Sequence, residues 1–293
     1  MSSPALVARR ASAAEFLELT KPRITLLVVF TALVGFVCAT PGPVSPAALA
    51  AALLGTGLVA AGASALNMLM ERDTDALMRR TRARPLPAGR IRPAEALVFG
   101  LTLTLGGLGA LAWLSGSLAA LVALVTWSTY LFLYTPLKRR TSLATLVGAI
   151  PGALPPVIGW AAARHSLEGG AFVLFSILFL WQIPHFLAIA WIYRDDYARA
   201  GLPMLPVLDR EGRLTGRQAV VHSVALLIVS FAPAAAGLAG GVYLVGAALL
   251  GGTLTGFAFN LALARDQAAA RWLFLASIVY LPALSSLLLA ARL

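Results

Sequence analysis

The chain has 293 residues, of which 59% are apolar and only 12% charged, with a formal net charge of +11 and a mean hydropathy of +0.85. That balance excludes an ordinary water-soluble domain and reads as an all-α polytopic membrane protein. The excess of basic residues is sorted by membrane side, so no nucleic-acid partner is expected.

Residues 1–23 form a polar arm with Arg9, Arg10, Lys21 and Arg23. The apolar stretch that follows lacks a small-residue cleavage site and reads as a retained span. Segments long enough to cross about 30 Å of hydrocarbon as helices run approximately from Ile24 to Thr40, Ala47 to Met70, Ala96 to Leu114, Leu118 to Tyr134 and Leu143 to Ala163. Four more run from Ala171 to Trp191, Ala219 to Gly237, Gly241 to Ala264 and Trp272 to Leu289, about nine transmembrane helices in all. Apolar residues surround many of these segments on every face, which excludes the short alternating strands of a β-barrel. The single Cys38 lies inside the first span and can form no intrachain disulfide.

Two long polar loops, 71–93 and 193–217, and the basic run Lys138-Arg139-Arg140 share one side with the N-terminal arm. Of the 23 Lys and Arg residues only Arg164 and Arg292 fall on the other. The positive-inside rule therefore puts the N-terminus in the cytoplasm and the C-terminus outside, with the active loops cytoplasmic and the cell (inner) membrane as location.

The loops resemble each other. Each opens at a helix end with Arg-Asp and a further Asp, Arg72-Asp73-Thr74-Asp75 and Arg194-Asp195-Asp196, and each continues to a proline pair, Pro85 and Pro87 or Pro203 and Pro206. Lys21-Pro22-Arg23 and Lys138-Arg139-Arg140 stand alike before the first and fifth spans. A shift of four helices superimposes these features. An even shift preserves direction, so the expected fold is two four-helix parallel repeats plus one helix.

Carboxylates beside an apolar span are costly and usually mark a substrate or ion path. Asn67, Glu71 and Asp75 are spaced i, i+4, i+8, which stacks three oxygen donors on one helical face. Such hard donors suit Mg²⁺, which binds through carboxylates together with substrate phosphates. Asp195 and Asp196 face this cluster if the second and sixth helices are neighbours, and two acidic patches in one pocket repel unless cations bridge them. Asp73 points away on a continuous helix and joins the cluster only if that helix frays. Arg80, Arg84 and Lys138 can take the oxygens of a diphosphate. Metal and guanidinium together stabilise the charge left as a carbon–oxygen bond breaks, so the implied reaction is ionisation of an allylic diphosphate. The bland alternative is a salt-bridged, solvated loop. Two matching loops, one led by an amide inside the membrane, favour the site. A secondary transporter is the rival from another class, weakened by the placing of the acids at the rim and not at the midplane.

At these residues the chain resembles the UbiA superfamily of intramembrane prenyltransferases, whose first motif is Asn-x-x-x-(Asp/Glu)-x-x-x-Asp. More narrowly it resembles the protoheme IX farnesyltransferases of that superfamily. The matching stretches are Leu-Thr-Lys21-Pro-Arg23, the run from Asn67 through Met78-x-Arg80-Thr81-x-x-Arg84 to Pro87, and Tyr134-Thr-Pro-Leu-Lys138-Arg-Arg-Thr141. Gly148 to Trp160, Trp181-Gln182-Ile-Pro184-His185 and Tyr193-Arg-Asp-Asp196-Tyr197 to Pro206 continue the match in order.

The resemblance implies a UbiA-like helical bundle as one integral-membrane domain over residues 1–293. It also implies transfer of a farnesyl group from farnesyl diphosphate to a vinyl group of haem b, with addition of water, giving haem O and diphosphate. Carried over, Asn67, Glu71, Asp75 and Asp196, with Asp195 as the alternative beside it, would hold Mg²⁺, and Arg80, Thr81, Arg84 and Lys138 would bind substrate. The superfamily's second motif is often Asp-x-x-x-Asp, whereas Ile192 stands here at its first position. His185 would ligate iron or touch the porphyrin. Tyr193 and Tyr197, with Trp181 and Tyr134, would shield an allylic cation. His165 and His222 read as structural and Asn260 as a contact between helices. Expected partners are haem b, farnesyl diphosphate and membrane lipid, with haem A synthase or terminal-oxidase assembly proteins as candidates. A relative that prenylates an aromatic quinone precursor is the runner-up.

Overall fold

The computed structural model describes residues 11–291, so Arg9, Arg10 and Arg292 lie outside the described residues. Among the described residues nine helices are long and apolar enough to span a membrane: α1 Pro22–Ala39, α2 Pro46–Met70, α3 Pro93–Ser115, α4 Ser117–Leu137, α5 Ala144–Arg164, α6 Gly169–Ile192, α7 Arg213–Ala235, α8 Gly241–Ala264 and α9 Gln267–Ala290. No strand occurs among the described residues.

Local chemistry sets the ends. Pro22, Pro46 and Pro93 open α1, α2 and α3, where the missing N–H costs nothing. Ser45 and Asp266 accept from the amides of Ala48 and Ala269 at the starts of α2 and α9. Gly116, at φ 97°, turns the chain between α3 and α4. The fifth span is not one continuous helix. It consists of Ala144–Ala153 and Pro155–Arg164, joined at Leu154, because Pro155 and Pro156 supply no amide for the ladder. The seventh starts at Arg213, six residues before the expected Ala219, because hydropathy marks where hydrocarbon begins and not where helical hydrogen bonding begins.

Packing follows the expected repeat. Contacts α1–α2, α2–α3, α3–α4 and α4–α5 recur four helices later as α5–α6, α6–α7, α7–α8 and α8–α9, and α2–α5 recurs as α6–α9. α1 additionally packs along α5 and against α9, which closes the two halves on each other. Water gives little drive for helix association inside lipid, so close backbone approach matters more. At the α1–α5 crossing, a Cβ on Gly159 would lie 1.9 Å from the carbonyl oxygen of Ala32, and one on Gly35 at the same distance from that of Pro156.

Gly159→Val is therefore expected to cost about 3 kcal/mol or more, since the colliding atoms are backbone. Thermal unfolding in detergent measures it. Gly109→Val, whose Cβ would meet nothing within 4 Å, is the control expected to change little.

Candidate active site at the helix rim

α2 ends at Met70, and Glu71 leads directly into the short helix Arg72–Ala76. The ladder continues across the junction: the Glu71 amide donates to the Asn67 carbonyl at 2.9 Å and the Asp75 amide to that of Glu71 at 2.8 Å. The i, i+4, i+8 face survives, and Asn67, Glu71 and Asp75 are all buried. Asp73 points the other way, with 80% of its side chain exposed beside Arg72.

Each buried group of this face has a basic partner. Lys21 Nζ donates to Asn67 Oδ1 at 2.7 Å. Lys138 Nζ pairs with Glu71 Oε1 at 3.0 Å, and Arg84 Nη1 with Asp75 Oδ2 at 2.7 Å. Asn67 Nδ2 donates to Thr135 Oγ1 at 3.0 Å, and that hydroxyl donates to the Tyr130 carbonyl at 2.8 Å. The Tyr130 carbonyl lies in a π-helical stretch, Thr129–Tyr134, a wound-open turn of the kind that accompanies functional sites. Thr81 Oγ1 donates to the Asp75 carbonyl at 2.8 Å and so ties the loop back onto the short helix.

Burial acts on the titration of all three charged groups here, but it sets the direction only at Lys21. It pulls the Lys21 ammonium down to about 8, with Glu71 opposing. Burial would raise the Glu71 carboxyl, but Lys138 and Lys21 together hold it below the usual range. Lys138 moves the other way: burial lowers it, and the neighbouring Tyr134, Glu71 and Tyr197 more than reverse that, so the net shift is upward.

The second loop reaches this cluster by a different route from side-by-side helices. α2 and α6 share no extensive contact. Instead Asp196, in the short helix Arg194–Arg199, accepts at Oδ1 from the Arg79 amide at 3.4 Å and Arg199 Nη1 at 2.7 Å, and at Oδ2 from the Arg80 amide at 3.2 Å. Burial would raise its carboxyl; those donors hold it below the usual range. Met78 from the first loop and Tyr197, Leu202 and Met204 from the second form a small buried apolar cluster with Ala190 beneath. Arg80 lies over the Tyr193 ring at 4.9 Å and reaches the Tyr197 hydroxyl at 3.5 Å. Asp195 is not brought in: 90% of its side chain is exposed.

Lys21 is the residue that sequence reasoning passed over as a topology charge. Its left-handed backbone, φ 48°, is uncommon for a residue with a side chain, and it places the ammonium on Asn67. A lysine just before a helix-opening proline was the available signal. The acidic patches were expected to need cations between them, and here lysines, arginines and backbone amides fill that role. Among the described residues, no three His, Cys, Asp or Glu side chains stand together as a metal cage. The donors nevertheless suit a hard cation: they are amide and carboxylate oxygens, and Asp75 Oδ1 is buried with no hydrogen-bond partner.

Two turns before the end of α6, His185 stacks on Trp181 and Phe274, with ring centroids 4.9 and 5.3 Å away. Its Nδ1 lies 2.7 Å from Ser277 Oγ.

The chain matches the UbiA prenyltransferase family over residues 28–279. It is 46% identical over 288 residues to a protoheme IX farnesyltransferase of Solibacter usitatus, covering 95% of this chain and 98% of that protein. It is 44% identical to one of Opitutus terrae, covering 98% and 97%. Among solved structures, a digeranylgeranylglyceryl phosphate synthase shares the fold with a TM-score of 0.79 at 16% identity, covering 95% of this chain and 98% of that one. A UbiA homologue from Archaeoglobus fulgidus bound to GPP and Mg²⁺ shares it at 0.65 and 16%, covering 94% and 99%. With nine apolar spans among the described residues, two rim loops clasped together and these matches, the chain belongs to the UbiA prenyltransferase family and is a multi-pass membrane prenyltransferase, not a secondary transporter.

Proposed function

We propose that this enzyme transfers the farnesyl group of farnesyl diphosphate to a vinyl group of haem b, with addition of water, giving haem O and diphosphate. The observation that carries the reading is identity of 46% and 44%, over nearly the whole chain, to relatives named for protoheme IX farnesylation. The carbon–oxygen bond of the diphosphate ester breaks and farnesyl C1 bonds to the terminal vinyl carbon. Water adds to the cation formed next to the ring and gives up a proton.

In this reading Arg80, Arg84 and Lys138 bind the diphosphate oxygens, Arg in a two-pronged fashion. Thr81 holds the loop that carries the two arginines. Asn67, Glu71, Asp75 and Asp196 would hold Mg²⁺, which supplies Lewis-acid stabilisation of the charge growing on the leaving diphosphate. When diphosphate binds, Lys138 and Arg84 can exchange their carboxylate partners, and Lys21 the Asn67 amide oxygen, for phosphate oxygens, so the buried charges stay matched. Tyr193 and Tyr197, already gathered around Arg80, offer aromatic faces to the allylic cation. His185 meets the porphyrin. The arginine and lysine distribution supports a cytoplasmic rim, with the N-terminus on that side and the C-terminus outside, in the cell membrane.

Purified protein with haem b, farnesyl diphosphate and Mg²⁺ is expected to yield farnesylated, hydrated haem by mass spectrometry. Removal of divalent metal with a chelator is expected to slow turnover by at least ~100-fold, because a metal at a leaving diphosphate contributes several kcal/mol. Turnover of a hydroxybenzoate with no reaction of haem would replace this proposal with the quinone-precursor reading.

A further inference from the structure

Outside the rim cluster, one buried polar network surrounds the histidine assigned above to the porphyrin: His185, Trp181 and Ser277, where α6 packs on α9. Trp181 Nε1 donates to the Ser277 carbonyl at 2.8 Å. Ser277 is fully buried, and its Oγ lies 2.6 Å from the Phe274 carbonyl and 2.7 Å from His185 Nδ1.

A serine hydroxyl has one proton. Two oxygens at 2.6 Å repel unless that proton lies between them, so it goes to the Phe274 carbonyl. Oγ is then an acceptor toward the imidazole, and Nδ1 carries the ring proton. The lone pair is left on Nε2, which makes no hydrogen bond among the described residues. The two flanking rings, Trp181 and Phe274, hold the imidazole plane within 20° and 29° of their own. Pro184, immediately before the histidine, lacks the amide that would otherwise bond the Leu180 carbonyl.

We propose that Ser277 is a positioning residue that fixes His185 as its Nδ1–H tautomer and so presents Nε2 to the iron of the porphyrin acceptor. The proposal rests on the haem reading above. It gives Ser277 the part that carbonyl and carboxylate partners play behind metal-bound histidines elsewhere, where losing the partner typically weakens metal binding by 10–100-fold. In the other tautomer Nε2 carries a proton and cannot ligate.

The test is a haemin titration of the full-length protein in detergent, read in the Soret band, with farnesylation of haem assayed in parallel. Wild type is expected to give a saturable Soret shift, and H185A to lose it. S277A, if monodisperse with an unchanged far-UV spectrum, is expected to bind haemin about tenfold more weakly with a changed Soret position, while S277T, which keeps the hydroxyl, restores both. If neither Ser277 variant accumulates, W181F serves: it keeps a stacking ring but frees the Ser277 carbonyl, and the Soret shift should weaken. Wild-type affinity and spectrum in S277A, or in W181F where that variant is used, would overturn the inference, as would equal loss in S277A and S277T. Farnesylation of haem by a wild type that shows no Soret shift would also overturn it and leave the proposed function standing. If wild type neither binds nor farnesylates haem, both fall.

Discussion

Asp75→Asn is expected to lower kcat/KM for prenyl transfer by about 10²- to 10³-fold while the protein still folds. Asp75 is 1% exposed, with Oδ2 on Arg84 at 2.7 Å and Oδ1 without a partner. Asparagine has the same shape, and its carbonyl oxygen can keep the Arg84 contact. The change removes one negative charge from the buried face and replaces the unpartnered oxygen with an amide nitrogen that cannot bind a cation. A transition state that develops charge on a leaving diphosphate loses that metal support, whereas packing at the site does not change. Diphosphate release and farnesylated product should fall together, and raising Mg²⁺ should recover only part of the loss. Activity within about threefold of wild type would remove Asp75 from the metal site.

Lys138→Met is expected to destabilise the protein by about 3–5 kcal/mol, the usual consequence of leaving one partner of a buried pair uncompensated. Lys138 and Glu71 keep only 14% and 10% of their side chains exposed at a separation of 3.0 Å. Burial opposes the charged form of both, and each is held ionised by neighbours, Glu71 by Lys138 first and then Lys21. Adding Glu71→Gln to Lys138→Met removes the stranded charge and should return most of the lost stability. It should not return activity, because the double variant lacks both a diphosphate cation and a carboxylate. Thermal unfolding and product formation on the same three proteins separate the two effects. A double variant as unstable as the single one would mean that Lys138 acts mainly by packing its long stem.

Much of the fold was legible because membrane spans are encoded locally. α2 was expected from Ala47 to Met70 and runs from Pro46 to Met70; α8 has the expected ends, Gly241 and Ala264. A segment in hydrocarbon must satisfy its own backbone, so a long uncharged run has one solution. Departures arise where that rule stops applying, at Leu154, where prolines interrupt the fifth span, and at Arg213, where α7 continues into the polar rim.

The site was legible in part. The spacing of Asn67, Glu71 and Asp75 placed them on one buried face, which the structure retains. Asp73 and Asp195 could not be sorted from their acidic neighbours by sequence, because which way a residue points at a fraying helix end depends on what the loop packs against. Asp196 was expected to meet the first acidic cluster directly. It grips the amides of Arg79 and Arg80, a contact no motif encodes, because backbone donors carry no sequence signature.

By itself, then, the chain determined the nine apolar spans found among the described residues, the parallel repeat and the donor types at the rim. Each follows from hydrophobicity, charge or spacing within a few turns of helix. The tertiary structure alone decided which polar group meets which: Lys21 with Asn67, 46 residues apart, Lys138 with Glu71, 67 apart, and Ser277 with His185, 92 apart. Such partners are chosen by reach and by the cost of burying an unpaired polar group, and both exist only after the helices have packed.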